Sequence, residues 1–168
     1  MENLAYNTPI KEVKEATQQF LTFKVEGNEY AVDIMKVMEI KGWTETTRIP
    51  NSPTYMRGVI NLRGLVIPIF DLRSRFNQGE TNATEKNVVI VISIGKRTIG
   101  ILVDAVSDIL TVKQSEIKLN PTANDAGIDD AYVSGLISNS DNMVIILDTD
   151  YLFDGKTLQK AEAVSSNA

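Results

Sequence analysis

The chain has neither cysteine nor histidine among its 168 residues. Without cysteine there are no disulfides, no thiolate nucleophile and no cysteine-based metal site. Without histidine there is no imidazole for acid–base catalysis or metal ligation, no Ser-His-Asp triad, and no histidine to carry a phosphoryl group. Positive charge is the scarcer sign: 17 Lys and Arg stand against 22 Asp and Glu, for a net charge of −5. The basic residues are scattered singly, whereas a nucleic-acid binder gathers them into a patch. No apolar run reaches the roughly 18 residues a membrane-spanning helix needs. The opening stretch MENLAYNTPIKEVKEATQ lacks the apolar region of a signal peptide. Phosphate-binding glycine loops are missing too, since GKRTIG at 95–100 lacks the spacing of a P-loop. These absences predict a soluble cytoplasmic protein without cofactor, metal, nucleic acid or direct membrane insertion.

What is present is β-strand pattern. Hydrophobic residues make up 43% of the chain, enough for a core. QFLTFKVEGNEYAVDI (19–34) alternates apolar and polar positions and predicts a hairpin turning at Gly27–Asn28. RGVINLRGLVIPIFDLR (57–73) predicts two strands with a turn near Asn61–Gly64, where Asn and Gly tolerate positive φ. NVVIVISIGKRTIGILVD (87–104) predicts a hairpin at Gly95–Lys96, and VSGLISNSDNMVIILDTDYLF (133–153) another strand–turn–strand. RIPNSPTYM, FNQGETNATEKN and the acidic LNPTANDAGIDDAY read as loops and linkers. Residues 1–17 read as a flexible arm, and KTLQKAEAVSSNA (156–168) as a tail with a short helix.

The two halves repeat. Gly58 and Gly135 lie 77 positions apart, as do Asp71 and Asp148. Between these anchors GVI matches GLI, and VIPIFDL aligns with MVIILDT. The hairpins FKVEGNEYAV and ISIGKRTIGI also match. Repeated short strands at this spacing predict a mainly β fold of two similar small barrels. The second half has SNSDNM where the first has NLRGLV, so the fold itself does not require Arg63.

Arg63 sits at a hairpin tip, where a guanidinium makes bidentate bonds to a carboxylate. That carboxylate is either internal, with Glu39, Asp33 and Asp71 as candidates, or on a partner. Arg57 reads as a solvated charge at a strand edge. Asp33 and Asp104 read as caps of short helical turns, and Asp71 and Asp148 as a duplicated cap or turn pair rather than a catalytic dyad. Ile34, Val37 and Met38 beside Glu39 read as core or as an exposed apolar strip. Trp43 reads as folding back on its barrel or anchoring an interface.

FLTFKVEGNEYAVDIMKVMEI (20–40), TRIPNSPTYMRGVINLRGLVIPIFDLR (47–73), VVIVISIGKRTIGILVDAVSDIL (88–110) and YVSGLISNSDNMVIILD (132–148) stand in the order seen in the chemotaxis coupling protein CheW family. The chain resembles that family over about residues 18–155, and RGVxNLRGxxxPxxDLR is a long, specific signature. The resemblance implies two intertwined five-stranded SH3-like β-barrels around a hydrophobic junction. The first would span about 18–80 and the second about 86–155, with the N-terminal strand shared. It implies a non-catalytic adaptor, monomeric in isolation, that joins the regulatory domain of the histidine kinase CheA to the cytoplasmic tips of chemoreceptors in membrane-associated arrays. A scaffold in a non-flagellar signalling array is the alternative. It also implies a receptor groove formed by Ile34, Val37, Glu39 and Arg63, with Gly58 supporting the backbone.

Overall fold

The computed structural model describes residues 15–119 and 132–153. The N-terminal arm through residue 14, most of the acidic loop, and the tail with its expected helix lie outside the described residues. Eleven strands follow in order: β1 (Thr17–Val25), β2 (Asn28–Asp33), β3 (Val37–Gly42), β4 (Met56–Leu62), β5 (Leu65–Asp71), β6 (Val88–Ile94), β7 (Arg97–Val103), β8 (Ala105–Lys113), β9 (Ile117–Lys118), β10 (Val133–Asn139) and β11 (Asn142–Leu147). They form a six-stranded sheet, β8-β1-β2-β11-β10-β9, and a five-stranded sheet, β3-β6-β7-β5-β4.

The sheets do not divide the chain into successive halves. The β1–β2 hairpin from the first half sits in the sheet of β8–β11, with β2 parallel to β11. The β6–β7 hairpin from the second half sits in the sheet of β3–β5, with β7 parallel to β5. Read by repeat, β8-β1-β2-β11-β10 and β3-β6-β7-β5-β4 are the same arrangement, each half having given its hairpin to the other. Even the irregularities repeat: the pairing slips between Met56 and Gly58 and, 77 positions later, between Val133 and Gly135. The sixth strand, β9, is only two residues long.

Both sheets are strongly curled. Six strands laid flat would hold the outer edges about 24 Å apart, at about 4.8 Å per step. Yet the outer strands β8 and β9 are joined by the single 3₁₀ turn Gln114–Glu116, and the stretch from Lys113 to Ile117 reaches at most about 14 Å. In the other sheet, Thr47, just past β3, exchanges two backbone hydrogen bonds of 2.9 Å with Val59 on the far edge strand β4.

Curling creates three apolar layers. Phe20, Ala31, Val112, Ile137, Val144 and Ile146 fill the six-stranded sheet. Ile60, Ile67, Ile69, Val89, Val91 and Leu102 fill the five-stranded one. Between the sheets lies the largest cluster, including Phe23, Tyr30, Phe70, Ile90, Ile92, Leu152 and Phe153. Along β6, Val89 and Val91 point one way and Ile90 and Ile92 the other, and all are buried. A strand covered on both faces reads as a continuous apolar run, which explains VVIVI.

Two turns differ from expectation by one residue. The first hairpin turns at Glu26–Gly27, both with positive φ (54° and 80°), rather than at Gly27–Asn28. In the second, Arg63 and Gly64 carry the positive φ (53° and 91°), while Asn61 stays in β4 and its Oδ1 accepts from the Gly64 N–H at 2.7 Å. Asp71 and Asp148 cap the one-turn helices Leu72–Arg75 and Thr149–Leu152, accepting from Ser74 N and Tyr151 N. Asp33 caps the 3₁₀ turn Ile34–Lys36, accepting from Met35 N at 2.9 Å. Asp104 caps no helix, because the residues after it form β8. Its carboxylate instead accepts from the Glu26 N–H at 2.9 Å and from Arg73 at 3.0 Å, holding the first hairpin's turn.

Candidate partner-binding site

Arg63 owes its position to an unfavourable backbone. A non-glycine residue at φ 53° costs about 1–2 kcal/mol, and such outliers concentrate at functional sites. The turn lifts its side chain to 73% exposure, where the guanidinium donates to the Glu39 carboxylate, itself 29% exposed. Glu39 lies on β3 and Arg63 between β4 and β5, so this ion pair joins the two outer edges of the curled five-stranded sheet. Of the three internal carboxylates considered, Glu39 is the one engaged. The hydrogen bond from Arg63 holds the Glu39 carboxyl below the ordinary glutamate range, and the same bond holds Arg63 further above its own.

The sign of the pH effect follows. A depressed glutamate pKa stabilises the fold above the unfolded-state value, and that contribution is lost as pH falls through the folded-state pKa. In a carboxyl NMR titration Glu39 should protonate below the ordinary glutamate range. In Arg63→Gln that difference should disappear. A Glu39 midpoint unchanged by the substitution would show that the pair does not persist in solution.

Ile34 and Val37 are only partly exposed and pack against the layer between the sheets. The side chains that reach solvent are their neighbours: Met35 (86% exposed), Met38 and Ile40. For Met38 and Ile40, alternation along β3 explains this, since burial there swaps residue by residue from Val37 to Gly42, while Met35 lies on the preceding 3₁₀ turn. Met38 was grouped with the candidate strip at the sequence level, but Met35 and Ile40 were missed. The signal for them was the period-two pattern of MKVMEI once it is read as a short turn followed by a strand.

Gly58 is buried and contributes backbone geometry. Its φ is +141°, and a Cβ there would lie 2.4 Å from the Thr47 carbonyl oxygen and 2.8 Å from its carbon. Glycine thus permits the Thr47–Val59 pairing that anchors the strand leading to Arg63.

Arg57 corrects the sequence reading of a solvated edge charge. Its side chain is 18% exposed. It donates to the Thr81 carbonyl at 2.9 Å, approaches the buried Asp71 carboxylate at 3.8 Å, and stacks over the Trp43 ring at 5.3 Å. Asp71 also accepts from Thr81 N–H at 2.7 Å and Thr81 Oγ1 at 2.6 Å, pinning the polar linker to the fold. The pairing slip between Met56 and Gly58 falls on Arg57, and such bulges re-aim a side chain. Trp43 folds back onto the five-stranded sheet's inner layer.

Beside the Ile34–Lys36 turn a groove of about 310 Å³ opens over the end of the six-stranded sheet, lined in part by Gln18, Asp33, Lys36, Asp148 and Thr149. Lys36 bonds Asp150 at 2.9 Å along it. Among the described residues no group of three or more Asp or Glu is placed to hold a metal ion. The candidate residues therefore supply exposed apolar side chains at Met35, Met38 and Ile40, an ion pair between Arg63 and Glu39, and a close backbone contact at Gly58.

Comparison with known proteins agrees with this architecture. The family model for the CheW-like domain matches residues 19–156. The chain is 37% identical over 144 residues to a probable chemotaxis protein CheW of Rhizobium etli, covering 86% of this chain and 92% of that one. It is 37% identical over 150 residues to chemotaxis protein CheW of Klebsiella aerogenes, covering 89% and 90% respectively. Among solved structures it superposes on the scaffolding protein TtCheW from Thermoanaerobacter tengcongensis with a TM-score of 0.76 at 30% identity, covering 86% of this chain and 92% of that one. On sequence and fold together, the chain belongs to the CheW-like domain family.

Proposed function

We propose that this chain is a non-catalytic adaptor that couples chemoreceptors to the histidine kinase CheA in bacterial chemotaxis. The observation that carries the reading is a CheW-like domain over residues 19–156, in which Met35 and Met38 are exposed on either side of the start of β3 and Glu39 on that strand pairs with Arg63. A helical receptor tip docking there would bury apolar anchors and meet the charge pair, the usual chemistry of a helix seated in a groove. Arg63 has donor capacity beyond its bond to Glu39, so a carboxylate on the partner completes it. The regulatory domain of CheA takes a separate face of the protein. Each contact is weak alone, and many copies in an array strengthen one another through effective concentration. The receptor then shifts the kinase's active population through a rigid connector.

In this reading the protein is a cytoplasmic monomer that joins membrane-associated receptor arrays. Among the described residues no helix is long and apolar enough to cross a membrane. The test is reconstitution of cognate CheA with receptor-bearing membranes, measuring kinase autophosphorylation with and without this protein. Receptor-dependent stimulation is expected. Absence of stimulation by demonstrably folded protein would overturn the adaptor reading.

A further inference from the structure

Sulfur in this cysteine-free chain resides only in its five methionines. Met56 is buried at 2% exposure, whereas Met35, Met38 and Met143 are 86%, 58% and 49% exposed. Of the three exposed thioethers among the described residues, two bracket Val37 in the candidate partner site. A rigid turn displays the first of them. Asp33 caps that turn from one side, Ile34 is held by the core, and Lys36 is tied to Asp150, which leaves Met35 facing solvent. The second follows at the start of β3, adjacent to Glu39, and its sulfur accepts a hydrogen bond from Thr98 Oγ1 at 3.7 Å.

We propose that Met35 and Met38 are an oxidative modification site, at which peroxides convert the thioethers to sulfoxides and so weaken partner docking. This rests on the adaptor reading above. A sulfur lone pair attacks one peroxide oxygen. The S–O bond forms as the O–O bond breaks, the thioether loses two electrons, and the other oxygen leaves as water. Methionine sulfoxide is polar and is restored by methionine sulfoxide reductases. With no cysteine on the chain, no thiolate competes for the oxidant. Met35 reacts first, being the most exposed. Met38 follows, with one lone pair engaged by Thr98. Met143 reacts without consequence for docking, because it lies at the opposite end of β11 from Asp150.

A sulfoxide at an anchor must shed water when the partner covers it. Imperfectly compensated burial of one polar group weakens binding by about tenfold.

The experiment treats the purified protein with graded hydrogen peroxide, removes the peroxide with catalase, and maps sulfoxides by peptide mass spectrometry. The treated protein is then added to untreated CheA and receptor membranes. Its concentration for half-maximal kinase stimulation should rise about tenfold as Met35 and Met38 oxidise, and sulfoxide reductases should reverse the change. The variant M35L/M38L, close in volume and without sulfur, should show the same half-maximal concentration before and after peroxide, whatever its own starting value, whereas M143L should give no protection. Oxidised protein that couples as well as untreated protein would overturn this inference alone, as would equal peroxide sensitivity in M35L/M38L. Untreated protein that fails to couple would overturn the adaptor reading, and this inference with it.

Discussion

Gly58→Ala should lower the midpoint of thermal unfolding by roughly 6–12 °C. Two costs combine. The residue holds φ +141°, a backbone conformation closed to alanine without strain. The new methyl would also stand 2.4 Å from the Thr47 carbonyl oxygen, and that neighbour is backbone rather than a flexible side-chain end. Strain and overpacking of this kind cost about 3 kcal/mol together, at about 2–4 °C per kcal/mol for a chain of this size. Either β4 shifts or Thr47 gives up its pairing with Val59, and the Arg63 turn moves with it. Calorimetry on the variant decides the matter. A midpoint within about 2 °C of the parent would mean that the segment at Thr46–Thr47 yields freely, and Gly58 would lose its role as the support of the site.

Arg63→Glu should do the reverse: leave the fold standing and weaken coupling. An exposed ion pair adds little to stability, so the thermal midpoint should move by less than about 4 °C. Loss of a charge that meets a partner costs about 2 kcal/mol or more, which is about thirtyfold in the concentration needed for half-maximal kinase stimulation. The double variant Arg63→Glu with Glu39→Arg separates the two explanations. It restores the internal pair with its polarity reversed. If coupling returns with it, the pair acts inside the molecule by holding the sheet edges together. If coupling stays lost, a guanidinium is needed at position 63 itself, facing the partner. Normal coupling by the single variant would remove Arg63 from the docking surface.

These two positions also show how far the sequence could be read. The hairpins and the 77-residue repeat were legible because alternation and turn residues are local signals. The roles of Asp71 and Asp148 followed from the repeat, since matching positions in both halves argue for one shared task. Long-range pairing was not legible. Nothing in FKVEGNEYAV states that its strand lies parallel to β11 rather than beside β5, because that choice is made by burial in layers assembled from both halves. Arg57 was misread for the same reason: its partners Trp43, Asp71 and Thr81 are distant in sequence, and the bulge that turns it inward has no sequence mark. Asp104 was misread because its neighbours, assigned helical character, form the strand β8. At the candidate site, the sequence leaves Arg63 with three internal carboxylates or a partner's, and only the fold selects Glu39. The division of MKVMEI into inward and outward side chains depended on where the 3₁₀ turn ends and β3 begins, and a one-residue change in that boundary reverses every assignment.

The mutual exchange of hairpins between the two sheets has a consequence for how the protein comes apart. Its architecture is that of a domain-swapped dimer whose two copies have been fused into one chain. A fragment cut near residue 80 would lack the central strands of its own sheet, and it would offer its own hairpin to a partner no longer present. Neither half can therefore melt while the other stays intact, and thermal or denaturant unfolding should be a single all-or-none transition. The same interlocking leaves no hinge between the sheets: a displacement imposed on one is carried by strands that belong to the other.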